Sequence, residues 1–517
     1  MEPSIASRLE EVLALPESAR RWQRLYELLL PNAAAAGREE ALARLETYVA
    51  PNSDAQFLWA TCLHPLNRRP EYLRAAAAAA RRIVPFRADR IHALLLYLWT
   101  QALFFAGDRE KFAAGFLAVD AADLLRLLSR EIEEELPVRR PRRTFSEVRR
   151  VAVVAPDMRN IRHAPTAMAV RNAGVLREAG LDVQVFGLQE HDFAAMPQLL
   201  GSGILLRLPK LDIESWRTLM PVPVKLNVTD AAVPLLIRWK FNLLSVEAFD
   251  PDVVLFVGFV SPLPYLLFDQ RPVAAISVHT VPPIVPTDVW LAPTPELAAD
   301  ENSPWAEALP PAVIHHHPFR VVLKPMGQSL SRGELQLPRD RVVLLSVGDR
   351  LETEINGPWA AAMTEFLRKH PGVLWLIVGG RGTMAAALKD GPVDQIRTVR
   401  HHPEVRAICR CCDIFVNPKR IGGGFSVCTA MAEGLPVVAY AGSDGGDKLG
   451  ELASANDAGY FETLEALVRQ PELRRSRGAA LQRKFAEELD MDRGAASLVA
   501  GCRKAVAVFN ERTGATR

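Results

Sequence analysis

Short apolar runs rich in β-branched residues, each followed by a helical segment, begin at about residue 148. The first is Val151–Ala155, which is followed by a helical pattern near Ala167–Ala179 and a second apolar run, Val183–Gly187. A strand, a crossover helix and a second strand of this length form a βαβ unit, which requires a parallel sheet. The sequence therefore predicts an α/β fold built on parallel sheets.

The same pattern recurs in two successive series. The further runs are Val253–Val257 and Ala274–Val278 in the first series, and Val342–Ser346, Leu374–Val378, Ile414–Val416 and Val437–Tyr440 in the second. Two series predict two doubly wound, Rossmann-like domains, at residues 148–325 and 326–517, with the alternative that the last helix crosses back to the first sheet. Ligands of such domains bind at the carboxyl ends of the strands, so candidate site residues are sought in the loops that follow them.

Residues 1–140 differ from the rest of the chain, because they contain helical patterns and almost no strand candidates. Prolines separate these patterns into segments of ordinary helix length. The stretch Glu131–Arg143, which carries Pro137 and Pro141, is typical of a linker. We therefore predict an independent all-helical domain at 1–140 that contributes to the choice of an acceptor or a protein partner.

Composition and charge exclude several classes of protein. The 517 residues are 49% hydrophobic and 24% charged, which is typical of a folded enzyme. A net charge of +2 gives no electrostatic attraction for nucleic acid. The longest apolar stretch, Val253–Phe268, is interrupted by Gly258, Pro262 and Pro264, and the first residues lack the apolar core of a signal peptide. We predict a cytoplasmic protein without a transmembrane segment or a nucleic-acid partner.

A basic, glycine-rich loop follows the run Ile414–Val416 and leads into a helix predicted to begin near Ser426. The candidate anion-binding residues are Lys419, Arg420, Gly422, Gly423, Gly424 and Ser426. A glycine loop at a helix N-terminus presents free backbone N–H groups and a positive dipole end to an anion. This pattern predicts a phosphate site; the alternative interpretation is a loop capped for structural reasons alone.

The same region resembles a known family. The segment Gly434–Val438, after an Ala-Met-Ala helix, looks like the end of the donor-site helix of GT-B glycosyltransferases. The run Asn417–Ser426 is similar to the branch of O-linked N-acetylglucosamine transferases and bacterial adhesin N-glucosyltransferases. The likeness extends over about residues 148–510 in architecture and is specific over about 340–450. It implies a bacterial-type hexosyltransferase with an acceptor domain first and a donor domain second.

The resemblance also implies the chemistry. The donor would be a nucleoside diphosphate sugar, a UDP-sugar, and the acceptor a protein or a glycan. Retaining members of the fold carry two glutamates around the donor helix, but Ile421 and Thr429 stand at those positions here, which favours inversion. No Asp-x-Asp motif follows a strand, so we expect diphosphate binding without metal and no cofactor besides the donor.

Further donor-site candidates are placed by the same resemblance. Arg350, in the loop after Val342–Ser346, falls where the superfamily places a cation on the donor diphosphate. Its alternative is a surface pair with Glu352 or Glu354. His401 and His402 are candidates to stack on the nucleobase, or are exposed histidines without a role. Asp444 and Asp447 are candidates to accept a hydrogen bond from the ribose, or belong to an ordinary turn.

The first predicted sheet supplies candidates for the catalytic base. An inverting transfer needs a group that takes the proton of the acceptor. Asp157 and His163 lie in the first strand-to-helix loop, and His279 follows the run Ala274–Val278. The histidines are the candidate bases, with Asp157 behind them, and each has a structural alternative.

Two clusters that resemble metal sites are interpreted as packing features. His315–His317 has no accompanying cysteine or carboxylate set, and Cys409–Cys412 lacks a second cysteine pair. Two other functions remain open from sequence alone. One is a non-catalytic scaffold that kept the fold, and the other is a sugar-nucleotide epimerase of the same fold.

Overall fold

The chain was examined as a computed structural model. It describes residues 5–16, 18–29, 38–102, 109–136, 145–192, 210–277, 281–293, 303–323, 326–380, 382, 384–420 and 424–514. The chain divides into two compact units, one formed by residues 1–317 with 495–517 and the other by residues 318–494.

The first unit begins with helices, as the sequence predicts. Their bounds are Ile5–Leu13, Ala19–Leu29, Arg38–Glu46, Ser53–Asn67, Pro70–Ala80, Ala88–Ala102, Arg109–Ala118 and Ala121–Glu134. Asn52 and Asp120 cap two of them by accepting hydrogen bonds from the backbone N–H groups of Ala55 and Asp123.

A seven-stranded sheet follows in the same unit, with the strand order β3-β2-β1-β4-β5-β6-β7. The strands are β1 (Arg150–Ala155), β2 (Asp182–Gly187), β3 (Lys225–Val228), β4 (Val253–Val257), β5 (Val273–Ile276), β6 (Val289–Ala292) and β7 (Val313–His316). All neighbours are parallel. The helices of this part are Ala164–Glu178, Ile213–Trp216, Leu235–Phe249, Leu263–Phe268 and the last helix, Ala495–Thr513.

The second unit contains a five-stranded parallel sheet of order β10-β9-β8-β11-β12. Its strands are β8 (Val342–Val347), β9 (Val373–Val378), β10 (Ile396–Val399), β11 (Ile414–Val416) and β12 (Val437–Val438). Its helices are Leu351–Glu354, Gly357–Lys369, Val405–Arg410, Gly424–Ala432, Asp444–Leu449, Asp457–Arg469 and Pro471–Lys484. The predicted fold class, two parallel-sheet Rossmann-like domains after a helical region, is confirmed.

The helical region and the first sheet share one continuous hydrophobic core. Phe112 and Phe116 of the helical region each lie 5.2 Å, between ring centroids, from Phe259, which follows β4. The helical region is therefore packed into the first unit rather than standing apart as the sequence suggests. The predicted linker at Pro137 and Pro141 lies outside the described residues.

The bounds of the two units differ from the predicted ones at the C-terminal end. The last helix, Ala495–Thr513, packs on β5 and β6 of the first sheet. The predicted bound of the second domain at residue 517 is therefore wrong, and the alternative that the last helix crosses back to the first sheet is confirmed. Asn510 of this helix donates a 2.6 Å hydrogen bond to the carbonyl of Phe145. In the described part of the chain, no helix has the length and apolar character that crossing a membrane requires.

Candidate functional site

In each sheet, successive strands are first added on one side of the first strand and then on its other side. Ligands of doubly wound sheets bind at this switch point. In the second unit this switch point lies between β8 and β11. Arg420, in the loop after β11, reaches across to β8 and donates a 2.8 Å hydrogen bond to the carbonyl of Val347. The same guanidinium donates to Asn417 Oδ1 and to Glu354 Oε2, each at 2.9 Å. Arg420 thus connects the two loops that border the switch point.

Arg350 shares a carboxylate with Arg420. Its Nε donates a 2.9 Å hydrogen bond to Glu354 Oε1, so Glu354 lies between the two arginines. Their exposures differ greatly, because the side chain of Arg350 is 65% exposed and that of Arg420 is 5% exposed. The surface pair considered for Arg350 is thus present, and Arg420 is the buried member of the network.

Gly348 gives Arg420 the space that it occupies. A Cβ atom at position 348 would lie 2.4 Å from Arg420 Nη1, while one at Gly372 would meet nothing within 4 Å. We expect Gly348→Ala to lower the free energy of unfolding by about 1–3 kcal/mol, the usual cost of overpacking. Denaturant titration measures this change, and Gly372→Ala is the matched control. Equal stability of the two variants would show that Arg420 is not fixed in place.

The helix after the glycine loop begins at Gly424 and ends at Ala432. This start lies two residues before Ser426, near which the sequence predicts the helix to begin. Ser426 therefore lies in the first turn and not at the N-cap. Gly422 and Gly423 lie outside the described residues.

Lys419 lies at the exposed edge of the same loop. Its Nζ is 3.4 Å from Asp457 Oδ1 and 5.3 Å from the centroid of the Tyr440 ring. Tyr440 stacks on Tyr460 with the ring centroids 4.6 Å apart, and the Tyr460 hydroxyl donates to the carbonyl of Asn417. The aromatic pair fixes the start of the loop, and the ammonium group stays accessible to an anion.

His401 also reaches the edge of the sheet. Its Nδ1 lies 3.2 Å from the carboxylate of Asp349, in the loop after β8, whereas His402 Nδ1 accepts a hydrogen bond from the Glu404 backbone N–H. Asp444 and Asp447 belong to the helix Asp444–Leu449 and not to a turn. Asp447 is exposed.

The switch point of the first sheet, between β1 and β4, borders a small cleft. Most of its wall is apolar, and its polar residues come from the loops after β1 and β2. The lining residues are Trp99, Pro156, Asp157, His163, Pro165, His191, Val257, Gly258, Phe259 and Val260. Both Asp157 and His163, predicted from sequence, lie in this cleft; His279 lies outside the described residues.

Asp157 is almost completely buried in the cleft, and its Oδ2 accepts a 2.6 Å hydrogen bond from Arg159 Nε. The same oxygen lies 3.5 Å from His191 Nδ1. Burial raises the pKa of the Asp157 carboxyl, and the charge of Arg159 opposes that rise. Within the described part of the chain, Asp157 Oδ1 is buried without a hydrogen-bond partner.

The two cleft histidines are uncharged at neutral pH. Burial lowers the pKa of His163 to about 4 and that of His191 to about 3. His163 Nδ1 lies 2.8 Å from the hydroxyl of Thr166, which fixes the orientation of the ring. A neutral, oriented imidazole next to a carboxylate can accept a proton from a bound hydroxyl or amide group.

The sequence interpretation missed His191 and its neighbour Glu190. Both residues follow β2, whose carboxyl end lies next to that of β1. Because ligand sites follow the carboxyl ends of parallel strands, their position after β2 could have identified them from the sequence. Glu190 is fully buried and accepts hydrogen bonds from Trp239 Nε1 at 2.6 Å and Ser261 Oγ at 2.7 Å. Burial raises the pKa of Glu190 to about 8.

The two clusters interpreted as packing features are used in packing. His315 Nε2 lies 3.0 Å from the carbonyl of Ser497, and His317 Nδ1 lies 3.0 Å from its hydroxyl, so they join β7 and the residue after it to the last helix. Cys409, Cys411 and Cys412 are buried, and burial raises the pKa of each thiol.

Comparison with known proteins identifies part of the second unit. Residues 341–469 match the family model described as "Glycosyl transferases group 1". The match begins at the start of β8 and includes Arg350, the glycine loop and Arg420. No curated protein sequence matches the chain significantly.

Solved structures similar to this chain include three transferases. An O-GlcNAc transferase mutant of Thermobaculum terrenum is 14% identical with a TM-score of 0.48, over 99% of this chain and 100% of that chain. The glycosyltransferase SnogD from Streptomyces nogalater is 17% identical with a TM-score of 0.37, over 69% and 99%. The spinosyn forosaminyltransferase SpnP is 13% identical with a TM-score of 0.41, over 70% and 100%.

Because these structural similarities are low, the fold rests on the strand order, and the likeness to glycosyl transferases rests on the family match. The matched segment contains the switch point of the second sheet with its cations and its glycine-loop helix. Residues 341–469 are therefore similar to a domain of the group 1 glycosyl transferases, in a chain of two Rossmann-like domains.

Proposed function

We propose that this protein transfers a hexose from a nucleoside diphosphate sugar, a UDP-sugar, to a protein or glycan acceptor. The observation that carries the proposal is the coincidence of the glycosyl transferase match with the switch point between β8 and β11. Switch points of parallel sheets are the places where nucleotides bind, and a transferase of this type requires such a donor.

The donor diphosphate would bind among the N-terminus of the helix Gly424–Ala432, Lys419 and Arg350. A helix N-terminus offers free N–H groups and a positive dipole end to phosphate. Lys419 and Arg350 are exposed cations on exposed ion pairs, which cost little to exchange for a stronger anionic partner. Arg420 would act differently, because its buried guanidinium holds the loops that present these groups.

Stabilising the departing nucleoside diphosphate is the main electrostatic task of such a transfer. Negative charge grows on the diphosphate as its bond to the sugar breaks, and fixed cations lower the energy of that transition state. We propose that the cations and the helix terminus perform this task without a metal ion, and that no cofactor besides the donor is needed.

The acceptor would be activated in the cleft of the first unit. His163 is neutral and oriented by Thr166, and Asp157 is close enough to affect its charge. An imidazole in this state can remove the acceptor proton as the acceptor attacks the anomeric carbon, which gives inversion. The helical region, which shares the core of this unit, is proposed to contribute to the choice of acceptor or of a protein partner, and the reaction is proposed to take place in the cytoplasm.

Nucleotide binding without metal is the direct test. Calorimetry with uridine diphosphate in the presence of a chelator should show binding to the full chain. Slow hydrolysis of a UDP-sugar in the absence of acceptor should accompany it, because donor activation does not require the acceptor.

Three other results would contradict the proposal. Binding that appears only after Mg²⁺ or Mn²⁺ is added would exclude a metal-independent diphosphate site. Binding without any hydrolysis or transfer would favour a scaffold protein, and conversion of the free UDP-sugar into an epimer would indicate an epimerase.

A further inference from the structure

One helix of the N-terminal region supplies side chains to the loop after β2. His92 and Trp99, both on the helix Ala88–Ala102, are seven residues apart and so lie on the same face of it. His92 Nε2 lies 3.8 Å from Glu190 Oε2, and the ring centroid of Trp99 lies 5.2 Å from that of His191. This helix therefore packs directly on two consecutive residues of the first Rossmann-like domain, the buried Glu190 and the half-buried His191.

Trp99 forms a wall of the cleft as well as a contact with His191. Both residues line the cleft, and their ring planes are inclined by 38°. The Trp99 side chain is 93% removed from solvent, since its exposed fraction is 7%. The indole ring therefore covers one side of the imidazole. The carboxylate of Asp157 lies 3.5 Å from Nδ1 of the same imidazole.

We propose that Trp99 is a positioning residue that holds the His191 ring beside Asp157 and keeps water from it. Through this contact the N-terminal helical region controls the protonation of a residue in the cleft. The inference depends on the proposed function only where it takes the cleft to be the acceptor site. The contact and its effect on His191 are testable without any substrate.

Several charged and titratable groups face His191. The indole ring of Trp99, which carries no charge, packs beside them. Asp157 and Arg159 come from the loop after β1, His163 precedes the helix Ala164–Glu178, and His92 lies on the same helix as Trp99. Burial is the largest cause of the low pKa of His191, and the charge of Arg159 adds to it. Removal of the indole ring would admit water and reduce the larger of these two causes.

The test is an NMR titration of the histidine rings in the full-length chain between about pH 5 and pH 8, the window in which an ordinary histidine titrates. The His191 signals are assigned from their loss in His191→Gln. The wild-type ring should remain neutral throughout, and in Trp99→Ala it should gain a proton within this window. Trp99→Phe, which keeps an aromatic cover, should behave like the wild type.

Trp59→Ala is the matched control, because it removes another indole of the helical region. Trp59 donates a hydrogen bond to the carbonyl of Leu45 and packs against Tyr72, and it does not line the cleft. His191 should stay neutral in this variant. If Trp99→Ala proves unfolded by its melting curve, Trp99→Leu takes its place and should give a smaller rise.

The proposal is overturned if a folded Trp99 variant without an aromatic ring leaves His191 neutral over the whole range. It is also overturned if Trp59→Ala has the same effect as Trp99→Ala, because the cause would then be a general loosening. Failure of the wild-type chain to bind uridine diphosphate would instead contradict the proposed function and leave the His191 result unchanged. The two failures are therefore distinguishable.

Discussion

Arg420→Ala should abolish measurable nucleotide binding and lower the free energy of unfolding by about 2–5 kcal/mol, the cost of removing one partner of a buried charged network. The substitution leaves Asn417 Oδ1 and the carbonyl of Val347 without the donor that now satisfies them. Glu354 would keep only its exposed partner, Arg350. The loops after β8 and β11 would lose their direct connection, and with it the geometry of the proposed diphosphate site.

Arg350→Ala is the matched comparison, since both arginines bind the same carboxylate. Its side chain is exposed, so the ion pair with Glu354 contributes at most about 1 kcal/mol to stability. We expect an unchanged melting temperature with a lower kcat for transfer, because the cation acts on the departing diphosphate. Arg420→Lys should rescue only partly, since one ammonium group cannot replace a guanidinium that donates to three acceptors.

Thermal denaturation and calorimetry with uridine diphosphate measure both effects. Equal stability of Arg420→Ala and the wild type would contradict the buried network. A stable Arg420→Ala that binds nucleotide normally would remove Arg420 from the proposed donor site. Loss of stability in Arg350→Ala would mean that the roles of the two arginines are reversed.

The sequence predicted the strands whose side chains are buried on both faces except β6, whose four residues are all buried, and it did not predict the edge strand β10. Val253–Val257 and Ile414–Val416 agree with β4 and β11 residue by residue, because central parallel strands are continuous apolar runs. The strands β3 and β7 were missed, since their residues are mostly exposed or half-buried and include lysine, asparagine and histidine. These two strands form the edges of the sheet, where the apolar signal is weakest.

The sequence predicted where the candidate site lies but not which of its side chains contact one another. The loops after β1, β8 and β11 were identified because ligand sites follow the strands of parallel sheets. Sequence spacing could not indicate that Arg420 is buried and Arg350 exposed, because both depend on Glu354, which lies 66 residues from Arg420. His191 was missed for a similar reason. It packs against Trp99, which belongs to the helical region that the sequence predicts to be a separate domain.

Asp157→Asn should lower kcat for sugar transfer by about 10²- to 10⁴-fold, the range of a general acid–base contribution. The carboxylate attracts the positive charge that forms on His163 when it takes the acceptor proton, and the amide cannot. Donor hydrolysis and affinity for uridine diphosphate should be unchanged, because Asp157 belongs to the first unit and the proposed donor site to the second. The shape of the side chain is retained, so the melting temperature controls for folding.

Asp192→Asn is the control for a general change of charge. Asp192 contacts the same arginine, Arg159, at 3.3 Å, but its side chain is 57% exposed. A surface carboxylate of this kind contributes within about 1 kcal/mol, so transfer by Asp192→Asn should remain within a few-fold of the wild type. Equal losses in the two variants would mean that Arg159, and not the proton acceptor, is what both substitutions disturb.

The dependence of the transfer rate on pH distinguishes an Asp157 that assists the base His163 from an Asp157 that only maintains the structure. A base must be unprotonated and Asp157 must keep its charge, so the wild-type rate should fall at acidic pH as Asp157, whose pKa burial raises, and His163, whose pKa is about 4, take up protons. The charge of Asp157 raises the pKa of His163, and its removal should move the acidic limb to lower pH while the plateau falls. Rates measured on protein shown by circular dichroism to be folded at each pH test this shift. An acidic limb that moves upward in Asp157→Asn, or a plateau equal to that of the wild type, would exclude the pair of Asp157 and His163 as the device that accepts the proton.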